Sequence, residues 1–382
     1  RLGSDRAISN TMTYFSTASL STDPIVLFGN TPQKYLGISR PVNPLLKWEL
    51  TDTYNVGIES SMWNGLLGVE LDVFYMKTTR SLESQSASFP PSLGDYYPAY
   101  TNYGSHDNRG FELVLTHHNC IKNFSYNVRG NISWARKILK MTEDPNVPNY
   151  MRSTGRPMGE YWGFVAEGLF QTEEEIAHSA VYGPTLPGDI KLKDINGDGK
   201  ITYDQDRVPI GRSSTPEMMF GLNIGAEWKG IDFSMLWQGA ALFDVNLCGM
   251  YANVGYDNTF YTKPFYCDGN TPYYLVENSW RPDNPDAEYP RLGIVSRDNG
   301  GKMSSWWVEN GTYIRLKSMQ IGYTLPSQWV TPAGIKKVRF YVSGGNLLTF
   351  SHLKHLDPEM PSVNQGYYPQ QRTYELGLNV TF

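Results

Sequence analysis

The stretch FSYNVRGNISW, residues 124–134, has a strict period of two. Phe124, Tyr126, Val128, Ile132 and Trp134 fall on one face, and Ser125, Asn127, Arg129, Asn131 and Ser133 on the other. Successive side chains point to opposite sides only in an extended strand, so this period demands a β-strand with two chemically opposed faces. The C-terminal TYELGLNVTF repeats it: Tyr374, Leu376, Leu378, Val380 and Phe382 face one way, and Glu375, Gly377, Asn379 and Thr381 the other. In a soluble sandwich the apolar face would meet a core. In an outer-membrane barrel it would meet lipid, with the polar face lining a wet lumen.

The connections separate these two cases. Alternation predicts strands at about 9–18, 49–62, 66–77, 108–118, 123–138, 218–228, 231–240, 312–325, 337–350 and 371–382. Most have the roughly ten residues that a tilted strand needs to cross a bilayer. WNG (63–65), HNCIKN (118–123) and WKG (228–230) read as tight turns, and PSQWVTPAGIKK (326–337) as a moderately short one. Between them come long irregular stretches at about 19–48, 78–107, 139–217, 241–311 and 351–370. A sandwich or propeller has no reason to keep this short-long parity, whereas a transmembrane barrel has short periplasmic turns and long external loops. The parity sends the C-terminus to the periplasm. Trp48, Trp63, Tyr75, Trp228, Trp237, Tyr323 and Trp329 cluster at strand ends, where interfacial girdles would place them, although β-rich composition explains any one of them. In TYIRLKSMQIGYTL (312–325) the alternation breaks at Lys317 and Ser318, which predicts a β-bulge.

Composition agrees. Among 382 residues there are 26 Tyr, 10 Trp, 36 Gly and only 19% charged residues, a bias toward strands and turns. A net charge of −5 gives no basic footprint for nucleic acid. No run of about eighteen apolar residues exists, which excludes a transmembrane helix and leaves a β-barrel open. Of the three cysteines, Cys248 and Cys267 share one non-periodic region and would pair in an oxidising compartment. The N-terminal RLGSDRAISN has no signal segment and reads as a chain already under way, so a fragment of something larger is expected.

One stretch carries a different signal. In KDINGDGKITYDQDR (193–207), Asp194, Asn196 and Asp198 take positions one, three and five of an EF-hand-type loop. Gly199 takes the sharp turn at six, the Lys200 carbonyl position seven and Thr202 position nine. Position twelve is Gln205 rather than a bidentate Glu, and Asp204 or Asp206 would substitute if the loop bulged by one residue. The flanks are rich in turn formers and not helical in period, which argues against a paired sensor. A lone structural Ca²⁺ site and a metal-free Asp/Asn/Gly turn both remain as readings.

Other constellations are weak. His117 and His118 at a turn, and His352 and His355 at a strand end, lack nearby partners at metal-ligand spacing. Thr172 before Glu173, Glu174 and Glu175 predicts a capped short helix with an acidic first turn. The Tyr-rich DYYPAYTNY (95–103) and NTPYYLVENSW (270–280) offer rings for sugar stacking or for loop packing. No serine elbow, Cys-His order or P-loop appears, and no carboxylate pair is nominated for glycoside hydrolysis.

Taken in chain order, several segments resemble the C-terminal part of SusC-like TonB-dependent outer-membrane transporters of Bacteroidetes. They are NPLLKWELTDTYNVGIESSMWNGLLGVELDVFYMKTTRSL (43–82), NYGSHDNRGFELVL (102–115), GEYWGFVAEGLFQTEEEI (159–176), PGDIKLKDINGDGKITYDQDRVPIG (187–211), SWRPDNPDAEYPRL (279–292), YIRLKSMQIGYTLP (313–326) and VRFYVSGGNLLTFS (338–351). The terminal strand, with Tyr374, Leu376, Leu378, Val380 and Phe382, is similar to the signal read by the barrel-insertion machinery.

The resemblance implies an all-β transmembrane antiparallel barrel, of which residues 1–382 would supply about ten of about 22 strands, without plug or TonB box. It implies long external loops at 139–217 and 241–311, the first holding the EF-hand-like motif. It implies import of oligosaccharides or peptides, a SusD-like surface lipoprotein as lid, pairing of two such complexes, and energy from TonB–ExbB–ExbD through the N-terminal part. No cofactor is required and no chemistry is done on the substrate. Ca²⁺, if bound through Asp194, Asn196, Asp198, Lys200, Thr202 and Asp206, would staple an external loop. The alternatives are a secreted or surface β-rich glycan-binding module with a calcium-stapled loop, or a secreted glycan hydrolase; detergent dependence separates the transporter from both.

Overall fold

The computed structural model describes residues 43–84, 88–93, 97, 100–144, 147–248, 273–292, 302–359 and 370–382, with the backbone of five short strands between residues 2 and 38. Ten strands form one sheet in strict chain order: β1 (Leu2–Ser4), β2 (Glu49–Met62), β3 (Leu67–Glu83), β4 (Thr101–Ile121), β5 (Phe124–Met141), β6 (Met218–Trp228), β7 (Ile231–Ala241), β8 (Tyr313–Thr324), β9 (Lys337–Ser351) and β10 (Thr373–Thr381). Nine coincide with expected strands. The expected strand at 9–18 lies outside the described residues, apart from residue 18 in a short strand, Ala18–Leu20. The Cys248–Cys267 pairing also lies outside them, because Cys267 does.

Three strands exceed their sequence-based bounds: β3, β4 and β5 run for 17, 21 and 18 residues. The added N-terminal end of β4, TNYGSHD at 101–107, is largely polar on both faces, so the period of two vanishes while the backbone stays extended. For the same reason the turn expected at 118–123 shrinks to Lys122 and Asn123. Between β6 and β7 the turn is also two residues, with Lys229 at φ 48° and Gly230 at φ 87°. Positive φ at both centres matches the twist of the flanking strands.

The predicted bulge is present in β8. Leu236 pairs with Ser318 and Trp237 with Leu316, leaving Lys317 as the extra residue. The register with β9 breaks at the same place, between Leu316 opposite Leu348 and Ser318 opposite Gly345.

The chain divides into two compact units. One comprises Arg1–Val56, Val73–Gly110 and Ala135–Met158. Within it Phe89 stacks on Tyr97 at 4.9 Å, and the segment after Asp144 returns along β5 through Gly155 N–H to the Leu139 carbonyl (2.7 Å) and Met158 N–H to the Lys137 carbonyl (2.8 Å). Tyr97, one of the rings considered for sugar stacking, is buried and serves packing.

The other unit comprises Gly57–Asp72, Phe111–Trp134 and Gly159–Phe382. Its registers show how the sequence alternation becomes two surfaces. Phe124, Trp228, Ile231, Tyr323, Phe340 and Leu378 stand in one cross-strand row beside the short turns, and all are exposed. Two residues further in, Tyr126, Ala226, Phe233, Ile321, Val342 and Leu376 form the next apolar row. The row between them, on the opposite face, is Ser125, Glu227, Asp232, Gly322, Tyr341 and Gly377. Leu376 is 83% exposed and Phe382 77%, a degree of apolar exposure over several strands that water does not tolerate as a chance pattern.

Candidate functional site: the polar face and the loops above it

The polar face is built from long polar side chains set beside glycines. A Cβ on Gly225 would lie 2.1 Å from Asn127 Oδ1, so the glycine is what lets the amide lie across its neighbour. Likewise the Arg339 guanidinium crosses over Gly322, where a Cβ would come within 2.5 Å of it. From there Arg339 Nε donates to Asp232 Oδ1 at 2.8 Å, Nη2 donates to Asp232 Oδ2, and Nη2 also donates to Gln320 Oε1 at 2.8 Å. This bidentate fork ties β9 to β7 across β8.

At the opposite end of β8 the bulge has a consequence. It re-aims Lys317 to the side of Arg315, so two cations lie together on one strand. Both reach the segment that follows β9. Arg315 Nη2 donates to Asp357 Oδ1 (2.8 Å), Arg315 Nη1 lies 3.2 Å from Glu359 Oε1, and Lys317 Nζ donates to Glu359 Oε2 (3.0 Å). Gln370 Oε1 accepts from both cations, at 3.1 Å and 2.9 Å, and Thr349 Oγ1 accepts from Arg315 Nε at 2.9 Å. The Arg315 and Asp357 side chains are only 5% and 6% exposed. Burial by itself would raise the Asp357 carboxyl. The Arg315 bond and the Glu359 and Gln370 amides outweigh it and hold the group below the usual carboxylate range.

Above the sheet, the described parts of the stretches between β5 and β6 and between β7 and β8 fold into a structure with its own core. Tyr161–Gly163 pairs with Val208–Gly211, Ala166–Leu169 with Ile190–Leu192, and Asp244–Asn246 with Val308–Asn310. Phe164, Ile190, Leu192, Leu275, Trp280 and Trp307 pack together and are buried. Three motifs far apart in sequence meet here. Gly188, at φ +88°, leaves no room for a Cβ, which would lie 2.3 Å from the Trp280 ring. Trp280 Nε1 in turn donates to Gln171 Oε1 at 2.9 Å. Thr172 caps helix Glu173–Ala177 as expected, its Oγ1 accepting from Glu175 N–H at 3.1 Å. The Glu175 carboxylate accepts from Gln171 N–H and Lys191 Nζ, both at 2.9 Å, and is held below its ordinary value by these bonds in that order.

The EF-hand-like loop closes on itself. Asp194 accepts from Gly197 N–H and Gly199 N–H, both at 2.7 Å, and Asp198 Oδ1 accepts from Lys200 N–H at 2.9 Å. Asn196 Nδ2 donates to Asp198 Oδ2 (3.0 Å) and to Gln205 Oε1 (3.2 Å). Asp206 is fully buried and latches the loop, accepting from Ile195 N–H at 2.9 Å and Thr202 N–H at 2.7 Å. Among the described residues no group of three or more His, Cys, Asp or Glu side chains is arranged to hold a metal ion. His117 stacks on Tyr126 and His355 on Tyr274.

An exposed apolar face over antiparallel strands, short turns at one end and folded loops at the other specify one architecture. The family model for the TonB dependent receptor-like β-barrel matches residues 8–347. The chain belongs to this family of outer-membrane TonB-dependent receptors. The receptor chain is 30% identical over 393 aligned positions to TonB-dependent receptor P26 of Formosa agariphila, covering 96% of this chain and 38% of that one. It is 25% identical over 382 positions to TonB-dependent receptor SusC of Bacteroides thetaiotaomicron, covering 93% and 34%. Among solved structures, the RagAB peptide transporter shares the fold with a TM-score of 0.63 at 21% identity, over 96% of this chain and 38% of that one. The receptor chain thus spans little more than a third of the length of these relatives. In such a receptor the apolar rows meet lipid, the row from Phe124 to Leu378 lies at the periplasmic interface, and the polar face lines the lumen. Trp48, Trp63, Tyr75, Trp228, Tyr323 and Trp329 are all exposed, while Trp237 is partly covered by its stack on Phe350.

Proposed function

We propose that this chain forms lumen wall and external loops of an active importer of oligosaccharides or peptides, energised through TonB–ExbB–ExbD. A SusD-like surface lipoprotein would close over the loops, and two such complexes would pair. The observation that carries this reading is the joining of a lipid-facing wall to an external cap with its own buried core. A wall alone would serve a passive pore, whereas an ordered cap offers a surface for a lid and for a captured ligand. RagAB, which shares the fold, is described as a peptide transporter. No catalytic constellation is assigned, and the wall and cap act by holding and releasing the substrate.

The loop at Asp194, Asn196, Asp198, Lys200, Thr202 and Asp206 is proposed as a structural Ca²⁺ site. Its support is the oxygen-rich spacing and a closed backbone turn; a bound ion would draw the Asp194 and Asp198 carboxylates from the loop amides.

The test uses the native full-length receptor, extracted in detergent and run with and without heating, with the co-purifying proteins identified by mass spectrometry. A compact heat-labile band, an associated lipoprotein and TonB-dependent uptake of labelled oligosaccharide or peptide are expected. A detergent-independent soluble protein would overturn the reading in favour of a secreted binding module.

A further inference from the structure

Two of the short turns hold a lysine where the backbone favours another residue. Lys122, between β4 and β5, has φ 56°, and Lys229, between β6 and β7, has φ 48°. In this left-handed region a Cβ crowds the neighbouring backbone, so Gly or Asn ordinarily fills such turn positions. Both lysines are exposed, and neither makes an ion pair with a described residue. Each turn thus keeps, against its backbone preference, a long cation with no internal partner. Phe124 and Trp228 pair across β5 and β6, so the two turns are centred two strands, or about 10 Å, apart. A lysine from each can reach one anionic group between them.

The surroundings define that group. The hollow beside these turns is bordered by four cations, Lys122, Lys229, Lys337 and Arg339, and by two carboxylates, Glu227 and Asp232. Arg339 forks onto Asp232, and the charge of Lys337 acts on the same carboxylate. Four positive charges against two negative leave an excess of two. Lys229 Nζ lies 5.2 Å from the centre of the Trp228 ring, which places its head on the apolar side of the sheet. Trp228 shares its exposed row with Phe124, Ile231 and Tyr323 at the periplasmic interface. A ligand there must carry a negative charge and an apolar body on one molecule. A phospholipid does, and lysines at a membrane surface favour an anionic one. An acidic peptide brings the charge, but against the apolar row its backbone groups would lack partners. A zwitterionic headgroup brings a second cation to the lysines.

We propose that this end of the wall binds an anionic phospholipid of the inner leaflet, with Lys122 and Lys229 meeting the headgroup phosphate and Phe124, Trp228, Ile231 and Tyr323 lying along the chains. The proposal goes beyond the import reading and holds whatever is imported.

The experiment uses the full-length receptor in detergent, titrated with phosphatidylglycerol or phosphatidylcholine and read by native mass spectrometry. Phosphatidylglycerol is expected to be retained at least tenfold more tightly than phosphatidylcholine. Lys122→Asn combined with Lys229→Asn should weaken it at least tenfold, whereas Lys354→Gln, at the external ion pair with Glu288, should not. Asn suits the left-handed turns, so the double variant should keep the heat-labile compact band. On the unaltered receptor, phosphatidylglycerol should shield Lys122 and Lys229 from acetylation, a readout that needs no variant. Equal retention of the two lipids, indifference to the double variant, or unshielded lysines would each overturn the proposal. So would displacement of the lipid by glycerol 3-phosphate, which would leave a bare phosphate site, or by a polyglutamate peptide, which would point to an acidic protein partner.

Discussion

Arg315 Nη2 donates to Asp357 Oδ1 at 2.8 Å, and through that bond a wall strand holds the start of an external loop. Both side chains are almost fully buried, so each charge depends on the other for its solvation. Replacing Arg315 by Met is expected to destabilise this corner by about 3–5 kcal/mol, the range for breaking a buried pair from one side. Hydrogen exchange at 352–359 should rise and the midpoint of the heat-induced gel shift should fall. Unchanged exchange there would show that the loop is held by other contacts.

The same pair sets a pH dependence. Because the Asp357 carboxyl is held below its unfolded value, its contribution is complete above about pH 4 and is lost as pH falls through the folded value. Protection from exchange at 352–359, taken relative to the intrinsic rate at each pH, should therefore be flat from neutral pH down to about pH 4 and should fall below it. A fall centred near pH 6 would point to histidine instead.

Gly225→Leu is expected to disrupt the polar face, because its side chain would occupy the space of the Asn127 amide. A cost of about 1–3 kcal/mol follows from overpacking, read as a lower unfolding midpoint of the purified receptor. Pairing it with Asn127→Gly should recover much of the loss, an outcome that a general loss of strand propensity would not give.

Leu376→Arg places a charge where the side chain is 83% exposed on the apolar face. Leu376 stands one row in from the periplasmic interface, so the cost lies below the about 2–4 kcal/mol of the midplane, and the yield of heat-labile receptor in the outer membrane should drop modestly. Deleting Phe382 should reduce insertion too, if the terminal strand from Tyr374 to Phe382 is the assembly signal. Normal assembly of both variants would mean that this face does not meet lipid.

Calcium binding at the loop is tested by calorimetry on the chelator-treated receptor. One ion per chain is expected, with Asp194→Asn and Asp198→Asn together abolishing it. Absence of heat from the unaltered receptor would leave the amide-closed turn as the whole role of these carboxylates.

The sheet was legible wherever one face is apolar and the other polar, because lipid and water impose a period of two on the residues between them. It faded at 101–107, where both faces of β4 are largely polar and backbone pairing keeps the strand extended. The bulge was visible as a break at Lys317, yet its purpose was not, since Asp357 and Glu359 lie about 40 residues further on. The cap was the least legible part. Gln171, Gly188 and Trp280 each stood inside a family-like motif, but their meeting in one core depends on long-range contacts without a local periodic signature.

The glycines beside Asn127, Arg339 and Tyr341 let these long side chains lie along the strands instead of projecting from them. The consequence is a polar face whose relief is set by where the glycines stand, with side chains lying along it and a hollow of about 520 Å³ bordered by Glu227, Asp232 and Arg339 beside the short turns. In the importer proposed above, retuning what is captured would fall to the loops of the cap and leave this face unchanged.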